Sequence, residues 1–130
     1  MTIVLDASCV VAALVDGGQS GAWTRTQMAG GDLVAPHHLP AEVAHALRRA
    51  EVGGRLDGGL AALAHRDLLR LAIRLFPFGP LATRVWELRH HVATYDAWYV
   101  ALAESLRAPL VTLDVRLARA HDIRCDVVTP

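Results

Sequence analysis

The chain contains no lysine; all thirteen of its basic residues are arginine. Mechanisms that need a lysine are thereby excluded. A phosphate-binding G-x-x-x-x-G-K loop is absent, and so is the lysine with which receiver-like and dehalogenase-like phosphoacceptor domains hold a phosphoryl group. Cysteine is scarce: Cys9 and Cys125 are too few for a disulfide framework and are expected as reduced, small core residues. The chain has no C-x-x-C pair and no H-E-x-x-H, and the neighbours in His37-His38 and His90-His91 point in different directions, so neither pair makes a zinc chelate. No apolar run approaches the length of a membrane span. The opening Met1-Thr2-Ile3-Val4-Leu5-Asp6 reaches an acid with no basic segment before it, so neither a signal peptide nor a membrane protein is expected, and the cytoplasm is the expected location. Thirteen acids balance the thirteen arginines. Without a general basic field, any role with nucleic acid has to reside in a site.

What the chain does have is apolar material. Over 130 residues, 53% are hydrophobic, enough for one core and one expected domain spanning 1–130. Thr2–Leu5, Asp32–Ala35, Ile73–Phe78 (broken at Pro77), Pro109–Leu113 and Asp126–Thr129 read as strands. Helices are expected over Ala7–Val15, Ser20–Met28, Leu39–Val52, Leu56–Leu71, Pro80–His91, Thr94–Leu106 and Asp114–His121, punctuated by Gly17-Gly18, Gly30-Gly31 and Gly53-Gly54. In the Leu56–Leu71 segment, Leu60, Leu63, Ala64, Leu68 and Leu71 form the apolar stripe. The helical pair Leu39–Leu71 is the expected projection from the body. Strands alternating with helices imply an α/β fold: a central parallel sheet with helices on both faces, in three layers.

In such sheets, sites form at the carboxyl ends of strands, at a topological switch point. Asp6 directly follows the first strand and Asp114 the fourth; if those strands are neighbours, the two carboxylates meet. Glu42 and Asp96 fall in the first turns of helices starting from the same edge. Each acid alone fits a helix cap or a favourable place in the helix dipole. Together they are harder to explain that way. Leu5-Asp6 and Leu113-Asp114 set acids against apolar strands, and Asp96 opens the most apolar helix, Ala97-Trp98-Tyr99-Val100-Ala101-Leu102-Ala103. Acids seldom occur in such surroundings unless paired or bound to metal. An all-oxygen set suits Mg²⁺ or Mn²⁺, and metal-activated water attacking a phosphodiester is the chemistry that follows.

These same stretches resemble a known family. Ile3-Val4-Leu5-Asp6-Ala7-Ser8 resembles the opening of PIN-domain nucleases, and Pro40-Ala41-Glu42-Val43 their second motif. Thr94-Tyr95-Asp96-Ala97-Trp98-Tyr99-Val100-Ala101-Leu102-Ala103 is similar to the third, and Leu110-Val111-Thr112-Leu113-Asp114 with Arg116-Leu117-Ala118 to the fourth. The subgroup most resembled is the VapC toxins of toxin–antitoxin pairs. The resemblance implies a sheet ordered 3-2-1-4-5, an endoribonuclease requiring Mg²⁺ or Mn²⁺ and cutting single-stranded RNA, a VapB-like antitoxin as partner, and a homodimer. It implies Asp6 and Asp96 as principal metal ligands, Glu42 and Asp114 as the remaining acids, and Ser8 and Thr94 as supporting hydroxyls. Some members carry Asp or Asn two residues after the fourth acid, where this chain has Arg116.

The arginines offer further candidates. Arg116 presents a planar fork suited to a substrate phosphate, or is a solvated helix arginine. Arg48, Arg49 and Arg55, and Arg84 and Arg89, either track an RNA backbone or keep helix faces soluble. His38 either lines the mouth of the site near Glu42 or sits in water on a loop. Trp23 and Trp86 are expected in core or interface packing. The apolar helices around Val10-Val11-Leu14 and Trp23 are expected to form a groove for an antitoxin segment. A non-catalytic module of the same fold would be expected to have lost an acid, and none of the four is missing.

Overall fold

In a computed structural model describing residues 1–130, the chain folds as a five-stranded, all-parallel sheet with flanking helices. The strands are β1 (Thr2–Leu5), β2 (Asp32–Pro36), β3 (Ile73–Phe76), β4 (Leu110–Val111) and β5 (Val127–Val128), in the order β3-β2-β1-β4-β5. β1 is central: Ile3 lies opposite Leu33 of β2, and Leu5 opposite Val111 of β4. A strand buried on both faces has to be apolar throughout, which explains the unbroken Ile3-Val4-Leu5. The sheet crosses over in opposite directions on either side of β1, so the switch point lies between the carboxyl ends of β1 and β4.

The helices are α1 (Ala7–Val15), α2 (Gln19–Met28), α3 (Leu39–Val52), α4 (Gly58–Leu68), α5 (Ala82–Glu87), α6 (Thr94–Leu106) and α7 (Val115–Ala118). α1 packs with α2, α3 and α4, whereas α6 lies across β1, β2 and β4 with α5 against it. α1 turns sharply into α2, and Gly21 makes this possible, because a Cβ there would collide with the carbonyl of Asp16. α6 is the core helix: Ala97 and every residue from Tyr99 to Ala103 are buried. Arg84 of α5 clamps it, placing Nε 2.7 Å and Nη2 3.0 Å from the two carboxylate oxygens of Glu104 and donating also to the Asp122 carbonyl. That arginine's guanidinium is thus committed to a structural pairing.

Several expected elements are shorter in the fold. The segment over Leu56–Leu71 is helical only from Gly58 to Leu68, because Asp57 caps it by accepting from the amides of Gly59 and Leu60. Its buried face is Ala61, Ala64 and Leu68, so Ala64 and Leu68 of the expected stripe face the core while Leu60 is left 57% exposed. The pair α3–α4 does not project freely, since both helices pack on α1. Pro80 starts a single 3-10 turn, Gly79–Leu81, and α5 ends at Glu87 rather than His91. α7 is one turn, and β3, β4 and β5 stop short of Phe78, Leu113 and Thr129. Trp23 packs against the core; Trp86 is 68% exposed, with the Arg89 guanidinium 4.6 Å over its ring. No helix is long and apolar enough to cross a membrane. Burial pushes the Cys9 thiol up to about 12 and that of Cys125 to about 11, which disfavours the reactive thiolate, and the two cysteines are unpaired.

Candidate active site

Each of the four acids is delivered to the carboxyl edge of the sheet by a different element. Asp6 is the residue after β1 and the N-cap of α1. Asp114 follows β4 and caps α7, accepting from the amide of Arg116. Glu42 lies in the first turn of α3, and Asp96 in the first turn of α6. Helix N-termini carry partial positive charge, so all four elements favour anions at this edge.

Asp6 is 7% exposed and is held by two hydroxyls on one oxygen. Ser8 Oγ donates to its Oδ2 at 2.8 Å and Thr112 Oγ1 at 2.6 Å, while Oδ1 accepts no hydrogen bond. The same two hydroxyls tie in the β4 loop, because Ser8 Oγ accepts from the Leu113 amide (3.2 Å) and Thr112 Oγ1 from the Asp114 amide (3.0 Å). Glu42 Oε1 accepts from the Tyr99 hydroxyl at 2.8 Å. Asp96, half-buried, accepts no side-chain hydrogen bond. Asp114 is gripped by the Arg116 guanidinium, Nε to Oδ1 at 3.0 Å and Nη2 to Oδ2 at 2.9 Å.

The electrostatics show the acids sensing one another. Burial raises the proton affinity of Asp96, and Asp6 and Asp114 raise it further. Burial likewise raises that of Glu42, against the lowering effect of the Tyr99 hydroxyl, with Asp6 and Asp96 adding to the rise. Arg116 holds Asp114 below the usual carboxylate range. The side chains do not form a finished cage: no group of three or more His, Cys, Asp or Glu is spaced to grip an ion as it stands. The donor set nevertheless fits a hard divalent cation. It offers oxygen ligands only, with open carboxylate oxygens on Asp6, Asp96 and Glu42 and mutual repulsion that a cation would relieve. A cleft of about 700 Å³ lined by Gly31–Val34 and Leu71–Arg74 opens elsewhere, along β2 and β3, and includes none of the four acids.

The other candidates separate. Ser8 touches Asp6, but Thr94, exposed at the start of α6, makes no hydrogen bond to any acid. Arg49 is exposed in the last turn of α3, two turns and about 10 Å along the helix from Glu42. Two residues of the site escaped sequence reasoning, and a third was left there between two alternatives. Thr112 looks like an ordinary β-branched strand residue, and Tyr99 like part of an apolar run. The third is His38, which is not a loop histidine in water. Its side chain is only 12% exposed, its ring stacks on Trp98 and Tyr95, and its Nε2 lies 2.7 Å from Glu42 Oε1. That contact is not aligned as a hydrogen bond, and burial lowers the imidazole pKa against the raising effect of Asp6, which disfavours the charged form of His38. A tyrosine inside an otherwise aliphatic buried helix was the available signal for Tyr99, since a buried hydroxyl needs a partner.

The family model described as "PIN domain" matches residues 3–123. Ribonuclease VapC1 of Mycobacterium tuberculosis is 42% identical over 125 residues, covering 95% of this chain and 94% of that protein. Among solved structures, FitAcB from Neisseria gonorrhoeae superposes with a TM-score of 0.75 at 19% identity, covering 98% of this chain and 97% of that one. VapBC2 from Rickettsia felis, bound to a DNA fragment from its promoter, superposes with a TM-score of 0.70 at 13% identity, covering 99% and 98%. The chain belongs to the PIN-domain family and, within it, to the VapC ribonucleases.

Proposed function

We propose that this chain is a divalent-metal-dependent endoribonuclease that cleaves single-stranded RNA in the cytoplasm as the toxin of a toxin–antitoxin pair. The observation carrying the nuclease reading is the convergence of Asp6, Glu42, Asp96 and Asp114 from four elements at one sheet edge, with Asp96 half-buried and raised in pKa by that burial and, further, by its acidic neighbours. A likeness to relatives named ribonucleases supports it.

Asp6 and Asp96 would hold Mg²⁺ or Mn²⁺, with Glu42 and Asp114 completing the acidic lining; the ion would neutralise the carboxylates, polarise the phosphodiester and ease deprotonation of a water. The chain's own residues do the rest. Ser8 and Thr112 fix the rotamer of Asp6 through Oδ2 and leave Oδ1 without a hydrogen bond, available for binding. Tyr99 anchors Glu42 through Oε1, so that Oε2 is the oxygen left to accept the proton of the attacking water. The raised proton affinity of Glu42 suits that task, because a base of very low pKa takes protons poorly. Arg116, whose side chain is 88% exposed, can release Asp114 and turn its fork to a substrate phosphate. A VapB-like antitoxin fits the apolar surface where Leu14 and Val15 of α1 meet Leu60 and Leu63 of α4. This surface shares Leu14 with the groove expected around Val10-Val11-Leu14 and Trp23, but it runs towards α4, and Val10 is fully buried.

The test is cleavage of an end-labelled, unstructured RNA. Activity is expected with Mg²⁺ or Mn²⁺, lost in EDTA, and lost in Asp96→Asn. Full activity in EDTA, or in the Asp96→Asn protein, overturns the proposal.

A further inference from the structure

Beside the acids the surface is built of rings. The Tyr95 and His38 rings stack with centroids 5.1 Å apart at 30°, and His38 stacks on Trp98 at 4.4 Å and 24°. Phe78 meets Trp98 edge-on at 5.1 Å, and Tyr99 meets His38 edge-on at 5.1 Å. The pile is joined to the acids three times: Tyr95 immediately precedes Asp96 in the first turn of α6, His38 touches Glu42, and the Tyr99 hydroxyl donates to Glu42. Its inner members are largely buried. Its two ends are not: Phe78 is 40% exposed, and Tyr95, with one ring already stacked on it, is still 64% exposed.

Core packing does not account for that ring, because the part of α6 that fills the core begins at Ala97. A tyrosine held against a rigid stack, with most of its surface in water, is preorganised for a second flat partner, so little entropy remains to be lost on binding. Any nucleobase presents a π-face that stacks on such a ring irrespective of its identity, provided the base is unpaired. Charge offers little alternative. The chain is neutral overall, has no lysine, and surrounds its candidate centre with carboxylates that repel phosphate. Beyond the ion and Arg116, affinity for a polyanion therefore has to draw on contacts that are not ionic.

We propose that the Tyr95–His38–Trp98 stack is a nucleobase subsite, where an unpaired base adjoining the scissile phosphate stacks on Tyr95. This rests on the ribonuclease reading and adds to it a basis for selecting single strands without reading their sequence.

The experiment is a cycle that removes the ring from the protein and a base from the RNA, read as KM and kcat on an unstructured oligoribonucleotide with Mg²⁺. Tyr95→Ala is expected to raise KM by roughly 5- to 150-fold, the range for loss of one base–aromatic stack, with the loss falling on KM rather than kcat. Tyr95→Phe, which keeps the ring, restores the low KM. Scanning one abasic nucleotide along the RNA should find a single position that costs the wild type the same factor and costs Tyr95→Ala nothing. An unchanged KM in Tyr95→Ala, or abasic losses that add to it at every position, overturns the subsite. It is equally overturned if KM is unchanged but the co-encoded antitoxin no longer binds Tyr95→Ala, since the ring then serves a protein interface. If the wild type cleaves no RNA, the ribonuclease reading fails, and the subsite is judged by stacking alone. Quenching of a 2-aminopurine oligoribonucleotide by wild type but not by Tyr95→Ala supports it, and no quenching by wild type overturns it.

Discussion

Replacing Thr112 by valine swaps one hydroxyl for a methyl at nearly constant volume, in a side chain with no solvent exposure. Two hydrogen bonds meet at that hydroxyl: it donates to Asp6 Oδ2 at 2.6 Å and accepts from the Asp114 amide at 3.0 Å. A hydrogen bond to a charged group contributes about 1.5–3 kcal/mol, and an amide left without its acceptor costs about 1–3 kcal/mol when dry. The Asp114 amide is only partly buried, so water recovers some of the second loss, and the added methyl contributes somewhat less than about 1 kcal/mol. The net destabilisation should be about 2–4 kcal/mol. With an unfolding entropy of about 2.1 cal/mol/K per residue, that is a fall in Tm of roughly 7–15 °C. Thr112→Ser keeps the hydroxyl and loses a methyl, which costs about 1 kcal/mol. Urea unfolding in EDTA should therefore rank wild type above serine and serine above valine, with unchanged m-values. RNA cleavage should fall in valine and survive in serine, since Asp6 loses one of the two hydroxyls that set its rotamer. If packing alone governs the position, valine equals wild type and serine is worst; that order refutes the reasoning.

The acids also set a pH dependence. In EDTA, Asp96 and Glu42 have folded-state pKa values raised above their unfolded ones, so their contribution is fully present below about pH 4 and is lost as pH rises through the raised values. Asp114 has the opposite sign: its contribution is present above the unfolded pKa and is lost as pH falls through the lowered one. The Tm advantage of Asp96→Asn over wild type should therefore grow from pH 4 towards neutrality and shrink when Mg²⁺ is added; a gap independent of pH and metal contradicts the coupling. Leu60→Glu on the exposed face of α4 should leave folding within about 0.5 kcal/mol and cleavage intact, while the co-encoded antitoxin no longer inhibits. Retained inhibition argues against that surface.

The elements that carry the acids were legible because local chemistry announces them. An apolar β-branched run ending at Asp6, Pro40 just inside a helix start, and an acid at the head of Ala97–Ala103 all correspond to what formed. The strand order was not legible from periodicity; it came from motif resemblance, because no local pattern says which strands become neighbours. α4 was misread at Leu60 and Leu63 for a related reason. Leucines dominate its apolar stripe, but close approach to α1 and α3 favours its alanines, and the choice depends on partners a single helix does not reveal. The same holds for His38, which looks like a turn residue until Tyr95 and Trp98, almost sixty positions away, close over it. Thr112 and Tyr99 orient acids 106 and 57 residues distant, so their roles exist only after folding.

One helix both plugs the centre of the molecule and carries Asp96 and Tyr95 at its tip. It therefore behaves as a lever. From Ala103 to Asp96 is about 10 Å of rigid rod, so a tilt of roughly 5° about the far end swings the carboxylate by nearly ~1 Å, a displacement that can cost a catalyst about a hundredfold. Substitutions with no view of the RNA, deep among the small residues under α6, can thus throttle this centre as effectively as changes to the acids themselves.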